Sequence, residues 1–376
     1  MTSDLSAPPT HSATHAVASS VKFGVGDDFL KVLKRRVDRY FRFTGLSPHD
    51  NPRMYLKTAI ILLWLCASYA LLVFGVSKWW EAVPLAGSLG LAMAAVGFNI
   101  QHDGGHKAYS RRKTINRLMA STLDLIGGSS YIWNHKHNTI HHTYPNIDGE
   151  DDDINVGLLA RISPHQRRLK VHRLQHFYMW LLYGFLSIKW QLLDDFWNVA
   201  IGRIGRHRFA RPKGWDLVIF IGGKALFFGL AFGLPMMRHS IWNVLGLYAI
   251  VSLVNGVTLA TVFQLAHVVG EAAFPMPDPV TGRMEHQWAI HQIETTVDFA
   301  RGNRMLTWYL GGLNFQVEHH LFPRICHVYY PRIVRLVEKA CREHGVRYSA
   351  HESLTEGVIS HFRWLRQMGR MDGISK

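Results

Sequence analysis

The chain has 376 residues, 48% hydrophobic and only 18% charged, with a formal net charge of +15. That length would allow two or three soluble domains, but the apolar residues gather in a few long runs, which excludes an ordinary water-soluble fold and points to the membrane class. A basic excess suits nucleic acid, anionic lipid or an acidic protein; no nucleic-acid motif accompanies it, which leaves lipid headgroups and an acidic protein partner.

In chain order, residues 1–50 read as a cytoplasmic, partly disordered segment. The stretch from Met1 to about Ser20 is rich in Ser, Thr, Ala and His and is predicted to be disordered. No apolar stretch that could act as a signal peptide precedes Tyr55. The sequence KVLKRRVDRYFR, Lys31–Arg42, alternates charge with apolar residues and predicts a juxtamembrane helix lying on anionic lipid. Residues 51–376 are read as a single domain. Its first two apolar runs, Thr58–Val76 and Ala82–Ile100, approach the roughly 20 residues that a spanning helix needs.

Immediately after the second run comes HDGGH, with His102 and His106. A long polar stretch, Gln101–Asp216, follows. Within it Leu118–Trp133 and Phe177–Trp190 are apolar but short, and both predict interfacial helices. The same stretch holds HKHNTIHH, His135–His142, and the acidic run Glu150–Asp153, read as a solvated loop or helix start. The third and fourth apolar runs are Leu217–Met237 and Ile241–Ala266. Lys224 interrupts the third; a lysine at such depth costs about 2.5–3.5 kcal/mol on insertion and must snorkel or face a polar cavity. His267 ends the fourth run in QLAHVVG, and QVEHH, Gln316–His320, follows later.

Lys and Arg number 9 before the first run, 17 in the central stretch and 13 after the fourth run, against one in each short inter-run loop. The positive-inside rule therefore predicts both termini and the central stretch in the cytoplasm. The resulting fold is an all-α integral membrane protein: four transmembrane helices in two hairpins, with a cytoplasmic helical cap that carries every histidine cluster. A fifth span at Phe177–Trp190 would put the third cluster across the membrane from the first. The three cysteines, Cys66, Cys326 and Cys341, form no CxxC pair and fit a reducing compartment.

His102 and His106 are spaced i, i+4, as are His137 and His141, with His142 adjacent; Gln316 and His320 repeat the spacing, with His319 alongside. On an α-helix that spacing shares one face, so two imidazoles can converge on one ion. Seven cluster histidines plus His267 are too many for one tetrahedral ion and suit two metals. Imidazole serves Zn, Cu, Fe and Ni alike, so the ligand type leaves the metal open.

At these residues the chain resembles the membrane fatty acid desaturases. HDGGH is similar to their first box, HNTIHH to their second and QVEHH to their third, and the strings WNHKHNTIHHTYPNIDGEDDDI, HQIETT and NFQVEHHLFP extend the likeness over about Tyr55–Pro331. The glutamine opening the third box resembles the front-end desaturases, which add a double bond between an existing one and the carboxyl end. The resemblance implies two iron ions, dioxygen as co-substrate, and a long-chain acyl-CoA or acyl-lipid substrate. By position it implies His102, His106, His137, His141, His142, His267, His319 and His320 as metal ligands. Gln316 stands where many relatives have histidine; it either coordinates through its carbonyl or hydrogen-bonds a neighbouring histidine. His291 is a weaker metal candidate, and it and His327 fit a supporting or structural role better; His135 falls outside the box spacing. Asp103 is expected to orient a ligand histidine. The HPGG motif of a fused haem domain is absent, so electrons are expected from a separate protein, a ferredoxin or a free b-type cytochrome with its reductase. The rival readings are a related two-iron hydroxylase or ketolase, a sphingolipid desaturase, and a metal transporter. A transporter should carry its ligands near the bilayer midplane.

Overall fold

A computed structural model describes residues 21–371. The predicted disorder of Met1–Ser20 lies outside the described residues. Four helices are long and apolar enough to cross a membrane: Pro52–Gly75, Trp79–Gly105, Trp215–Met236 and Ile241–His267. They overrun the apolar runs at one end or both, the first beginning six residues earlier and the second ending five residues later, because polar residues cap and continue them. Asn51 accepts a hydrogen bond from the Arg53 N–H ahead of Pro52, and Ser240 accepts one from the Asn243 N–H. The second long helix runs past its apolar stretch to Gly105 and the fourth ends on His267, so histidines ride on both helix ends. Leu56, Leu63, Val218, Ile221 and Trp242 remain exposed on the outer faces. So much contiguous apolar surface is at home against hydrocarbon rather than water.

The helices pack where side chains are small. A Cβ at Gly90 in the second long helix would lie 2.6 Å from the Val251 carbonyl of the fourth. Phe177–Trp190, expected on a bilayer surface, behaves differently. Its helix, Gln175–Lys189, lies lengthwise along the fourth long helix, with a Ser187–Asn255 hydrogen bond at 2.9 Å and a Gln191–Tyr248 bond at 2.9 Å one turn further on. Gly256 permits this, since a Cβ there would meet the Tyr183 and Gly184 carbonyls at 2.6 Å. Leu118–Trp133 is likewise no single surface helix. It breaks into Lys113–Ala120, Thr122–Leu125 and Ser130–Trp133, and buries Leu123, Ile126 and Trp133 with Val96 and Ile100.

Lys224 neither snorkels nor faces a cavity. Its Nζ donates to Asp195 Oδ2 at 2.8 Å, the Gly127 carbonyl at 2.8 Å and the Gln191 carbonyl at 3.2 Å. Gln191 can lend that carbonyl because it sits in a π-helical turn, Trp190–Asp194. Among the four long helices lies an apolar cavity of about 330 Å³, lined by Leu65, Leu89, Met93, Phe227, Val251 and Ser252 among others.

The amphipathic helix Asp28–Thr44 forms where the charge alternation predicts, but its apolar stripe is not on lipid. Phe29, Leu33, Val37 and Phe41 are buried in one core with Tyr330, Ile333, Val334 and Val337 of the helix Tyr330–His344. The stripe finds protein first, and the charged face stays outside together with Phe43 near the helix end. The last helix, Leu354–Arg370, is held by Arg161, whose buried guanidinium donates to the carbonyls of Met368 in its last turn and of Met371 just beyond its end. Among the described residues β-structure amounts to two ladders of two-residue strands, Arg203–Ile204 with His207–Arg208 and Asp298–Phe299 with Ala350–His351, and an isolated bridge between Lys22 and Arg283.

Candidate metal centre

The first histidine pair closes the second long helix. A π-helical turn, Val96–Gln101, leads into the α-turn His102–Gly105, and the rings of His102 and His106 stand 4.6 Å apart. The two glycines between them are required by crowding: a Cβ at Gly105 would lie 2.2 Å from the Trp133 ring, and one at Gly104 would lie 2.6 Å from the Ala120 nitrogen. Trp133 in turn packs beside His102, His106 and His137.

The second cluster departs from the expected geometry. Asn134–His141 is π-helical rather than α-helical, and the His142 N–H reaches the His137 carbonyl at 3.0 Å. The wider turn brings residues five apart together: His137 Nε2 and His142 Nε2 are 3.2 Å apart. His137, His141 and His142 thus all reach one cluster, which a plain α-helix would not allow. The third cluster is the helix Gln316–Leu321, tethered where Asp298 Oδ1 accepts from the Val317 N–H at 3.0 Å.

These pieces converge. Ring nitrogens of His102, His106, His137 and His319 lie within 4.8 Å of one another; so do those of His141, His267 and His320, and those of His142, His319 and His320. The last trio joins the other two groups into one continuous cluster of all eight expected histidines. His106 Nε2, His141 Nε2, His142 Nδ1, His319 Nε2 and His320 Nε2 are buried without a hydrogen-bond partner. Orphaned buried nitrogens are costly unless something binds them, and neutral imidazole lone pairs are what a borderline metal ion takes. Burial, with the neighbouring imidazoles, holds His106, His137, His142, His319 and His320 well below the ordinary histidine range, hence neutral. Burial would lower His141 too, but Asp151 and Asp153 outweigh it and raise its pKa.

The far side of several rings is fixed. His267 Nδ1 meets the Thr295 carbonyl at 3.1 Å, and His320 Nδ1 meets Gln292 Oε1 at 2.8 Å. Both partners only accept, so the proton sits on Nδ1; the Nε2 lone pair is then free on His320, while on His267 it faces the Gln316 amide. His141 Nδ1 lies 3.1 Å from Asp151 Oδ2, and His319 Nδ1 lies 3.3 Å from the Tyr330 hydroxyl.

Other expected residues fall elsewhere. The acidic run is a helix start, Asp151 capping the 3-10 turn Asp152–Ile154, but it is not solvated: Asp151 is fully buried against His141, Lys136 pairs with Asp152 at 3.3 Å and Asp153 at 3.0 Å, and Glu150 takes Arg206 at 2.9 Å. Asp103 is bonded not to a cluster histidine but to His327, at 2.9 Å from Nδ1, and His327 Nε2 in turn meets Lys57 Nζ at 2.9 Å. His291 stands outside the three groups, its Nε2 on the Pro145 carbonyl at 3.0 Å and its ring against Phe23. Gln316 has its Nε2 3.0 Å from His267 Nε2, within hydrogen-bonding distance. His135 packs against Tyr131 and Phe209, away from the cluster. Sequence reasoning missed Asp151, Gln292, Thr295 and Tyr330. A signal existed for three of them, since Asp151 lies in the GEDDDI end of the second-box string and Gln292 and Thr295 lie in HQIETT.

Residues 78–352 match the family described as Fatty acid desaturase. The chain belongs to that family. It is a fatty acyl desaturase, an oxidoreductase. The desaturase is 40% identical to the sn-1 linoleoyl-lipid 6-desaturase of Synechocystis sp. over 94% of this chain and 99% of that protein. It is 38% identical to the protein of the same name from Arthrospira platensis, over 94% of this chain and 96% of that one. It is also 39% identical to the acyl-lipid (8-3)-desaturase of Physcomitrium patens, over 92% of this chain and 74% of that protein.

Proposed function

We propose that the desaturase is a front-end enzyme acting on acyl-lipid, and that His102, His106, His137, His141, His142, His267, His319 and His320 hold two iron ions. The observation that carries this reading is the set of five buried, partnerless ring nitrogens converging in one cluster of eight histidines. When bound, the iron pair supplies the oxidation R–CH2–CH2–R′ + O2 + 2 e⁻ + 2 H⁺ → R–CH=CH–R′ + 2 H2O. The chain's own residues do the rest. Asp151, Thr295, Gln292 and Tyr330 orient the rings. Trp133 and Phe263 pack against the cluster and keep water from it. Gln316, whose amide meets His267 Nε2, turns away from that nitrogen when His267 takes iron.

The substrate class follows from the relatives' names, two of which act on linoleoyl-lipid and one on acyl-lipid. The apolar cavity supports an aliphatic tail. Its wall residue Met93 lies nine residues before His102 on the same helix, about 13 Å along the axis. The charge asymmetry supports two hairpins with both termini and the histidine cluster in the cytoplasm. Electrons come from a separate carrier, a ferredoxin or a b-type cytochrome.

Expression in a host that makes no polyunsaturated fatty acids, fed linoleate, tests the reading. The expected product has lost two hydrogens and carries its new double bond on the carboxyl side of the existing ones. A product that has gained one oxygen would instead establish the hydroxylase. His319→Ala should abolish product and bound iron while membrane insertion persists.

A further inference from the structure

The helices Asp28–Thr44 and Tyr330–His344 form an antiparallel pair: Phe29 meets His344 at one end, Phe41 meets Tyr329 at the other, and Arg36 pairs with Glu343 between them. Both apolar stripes are spent on the shared core. What remains outside is mainly basic, with Phe43, Asp28 and Asp38 among it. Arg35, Arg39 and Arg42, spaced i, i+4 and i+7, are exposed on the first helix; Arg332, Arg335 and Arg342, spaced i, i+3 and i+10, are exposed on the second. Each set lies opposite its helix's buried stripe, so it points away from the protein. The acidic groups nearby are mostly engaged: Glu343 with Arg36 and Glu338 with Arg301, leaving Asp38.

This platform also lies against the metal cluster. Tyr330, the first residue of its second helix, is buried and its hydroxyl is 3.3 Å from His319 Nδ1. Arg332, two residues on, is exposed with its guanidinium over the Tyr329 ring. One helix thickness, about 10 Å, separates the basic surface from the third box.

We infer that this two-helix platform is the docking surface for a small acidic one-electron carrier protein. The inference rests on the proposed two-iron desaturase reading. Each encounter oxidises the carrier by one electron, and two encounters supply the two electrons that the reaction above consumes. Opposite charge on the two surfaces would steer encounter and fix orientation, and salt would weaken it. An anionic membrane is the less suitable occupant, because a helix lying on lipid needs a free apolar face and both are occupied here.

The test uses the full-length enzyme, loaded with iron, in nanodiscs of neutral phosphatidylcholine. The probes are an acidic [2Fe–2S] ferredoxin and the soluble haem domain of an acidic b-type cytochrome, each with NADPH and its reductase. In Arg39→Glu/Arg335→Glu the KM for the carrier should rise about tenfold and its salt dependence should flatten, with kcat at saturating carrier and iron content unchanged. The milder Arg39→Gln/Arg335→Gln should give a smaller shift in the same direction. Arg304→Glu, an exposed arginine off the platform, should change nothing. An unchanged KM in the platform variants of an enzyme that otherwise turns over would overturn the docking surface alone. An effect seen only when anionic lipid is added would assign the platform to the membrane and overturn it too. A parent enzyme that binds iron but desaturates with neither carrier would instead strike at the underlying reading.

Discussion

Asp151→Asn separates charge from shape at the metal cluster. Asp151 Oδ2 faces His141 Nδ1 at 3.1 Å and the Asn146 N–H at 3.0 Å, while Oδ1 accepts the Asp153 N–H at 3.0 Å. An asparagine can keep oxygen on one side only. If the oxygen stays on the His141 side, an NH2 faces the Asp153 N–H, and a buried donor is left unsatisfied at a cost of about 1–3 kcal/mol. The bond to His141 also loses its charge assistance, which roughly halves its strength. Carboxylates that support metal-bound histidines are worth about 10–100-fold in metal affinity or activity, equivalent to about 1.4–2.7 kcal/mol. We therefore expect iron affinity, read by chelator competition on the purified protein, to fall by about 10–100-fold, with desaturation falling alongside it. Iron affinity equal to the parent's would refute the reasoning and leave Asp151 as a loop anchor only.

Lys224→Met should destabilise the protein by about 3–5 kcal/mol, because Asp195 stays buried without its partner. The double change Lys224→Met/Asp195→Leu should recover most of that in thermal unfolding in detergent, and a single variant as stable as the parent would show that the pair holds nothing. Burial pushes the Asp124 carboxyl from 3.8 up to about 6. The fold therefore favours its protonated form: the stability it contributes is complete below about pH 4 and is lost as pH rises through about 6, by up to about 3 kcal/mol. Asp124→Asn should flatten that slope in pH-dependent melts, and an identical slope would assign it to other groups. Ser252→Phe, which fills part of the apolar cavity, should shift preference toward shorter acyl chains by at least about tenfold per methylene in competition assays, with iron content intact. Unaltered chain preference would take the cavity out of the acyl path. Gln316→His should retain iron, since it adds an imidazole beside His267, but slow turnover; equal turnover would make the glutamine a family marker without a catalytic task.

The four spanning candidates and the eight clustered histidines were legible because each signal is local: an apolar run of sufficient length, and short histidine spacings at its ends. The failures came where a local pattern has two possible partners. The apolar positions of Lys31–Arg42 and Phe177–Trp190 could cover lipid or protein, and the choice depends on Val334 and Val337 in one case and on Gly256 in the other, residues far away in the chain. The acidic run does start a helix, but its burial is hidden from the sequence for the same reason. Four consecutive acids look solvated until Lys136, Arg206 and His141 are brought to them. Asp103 sits inside the first box yet serves His327, a distinction that spacing along the chain does not carry.

The π-helical second box also constrains length, not just composition. Its histidines are counted in fives, by a turn that holds one residue more than an α-helix. Adding any one residue between His137 and His142 would exceed what the wide turn already absorbs and swing everything after it by about 100°. His141 and His142 would then leave the cluster even though every histidine was still present. The box therefore works as a ruler: relatives that keep the chemistry should tolerate changed letters between these histidines far better than a single insertion.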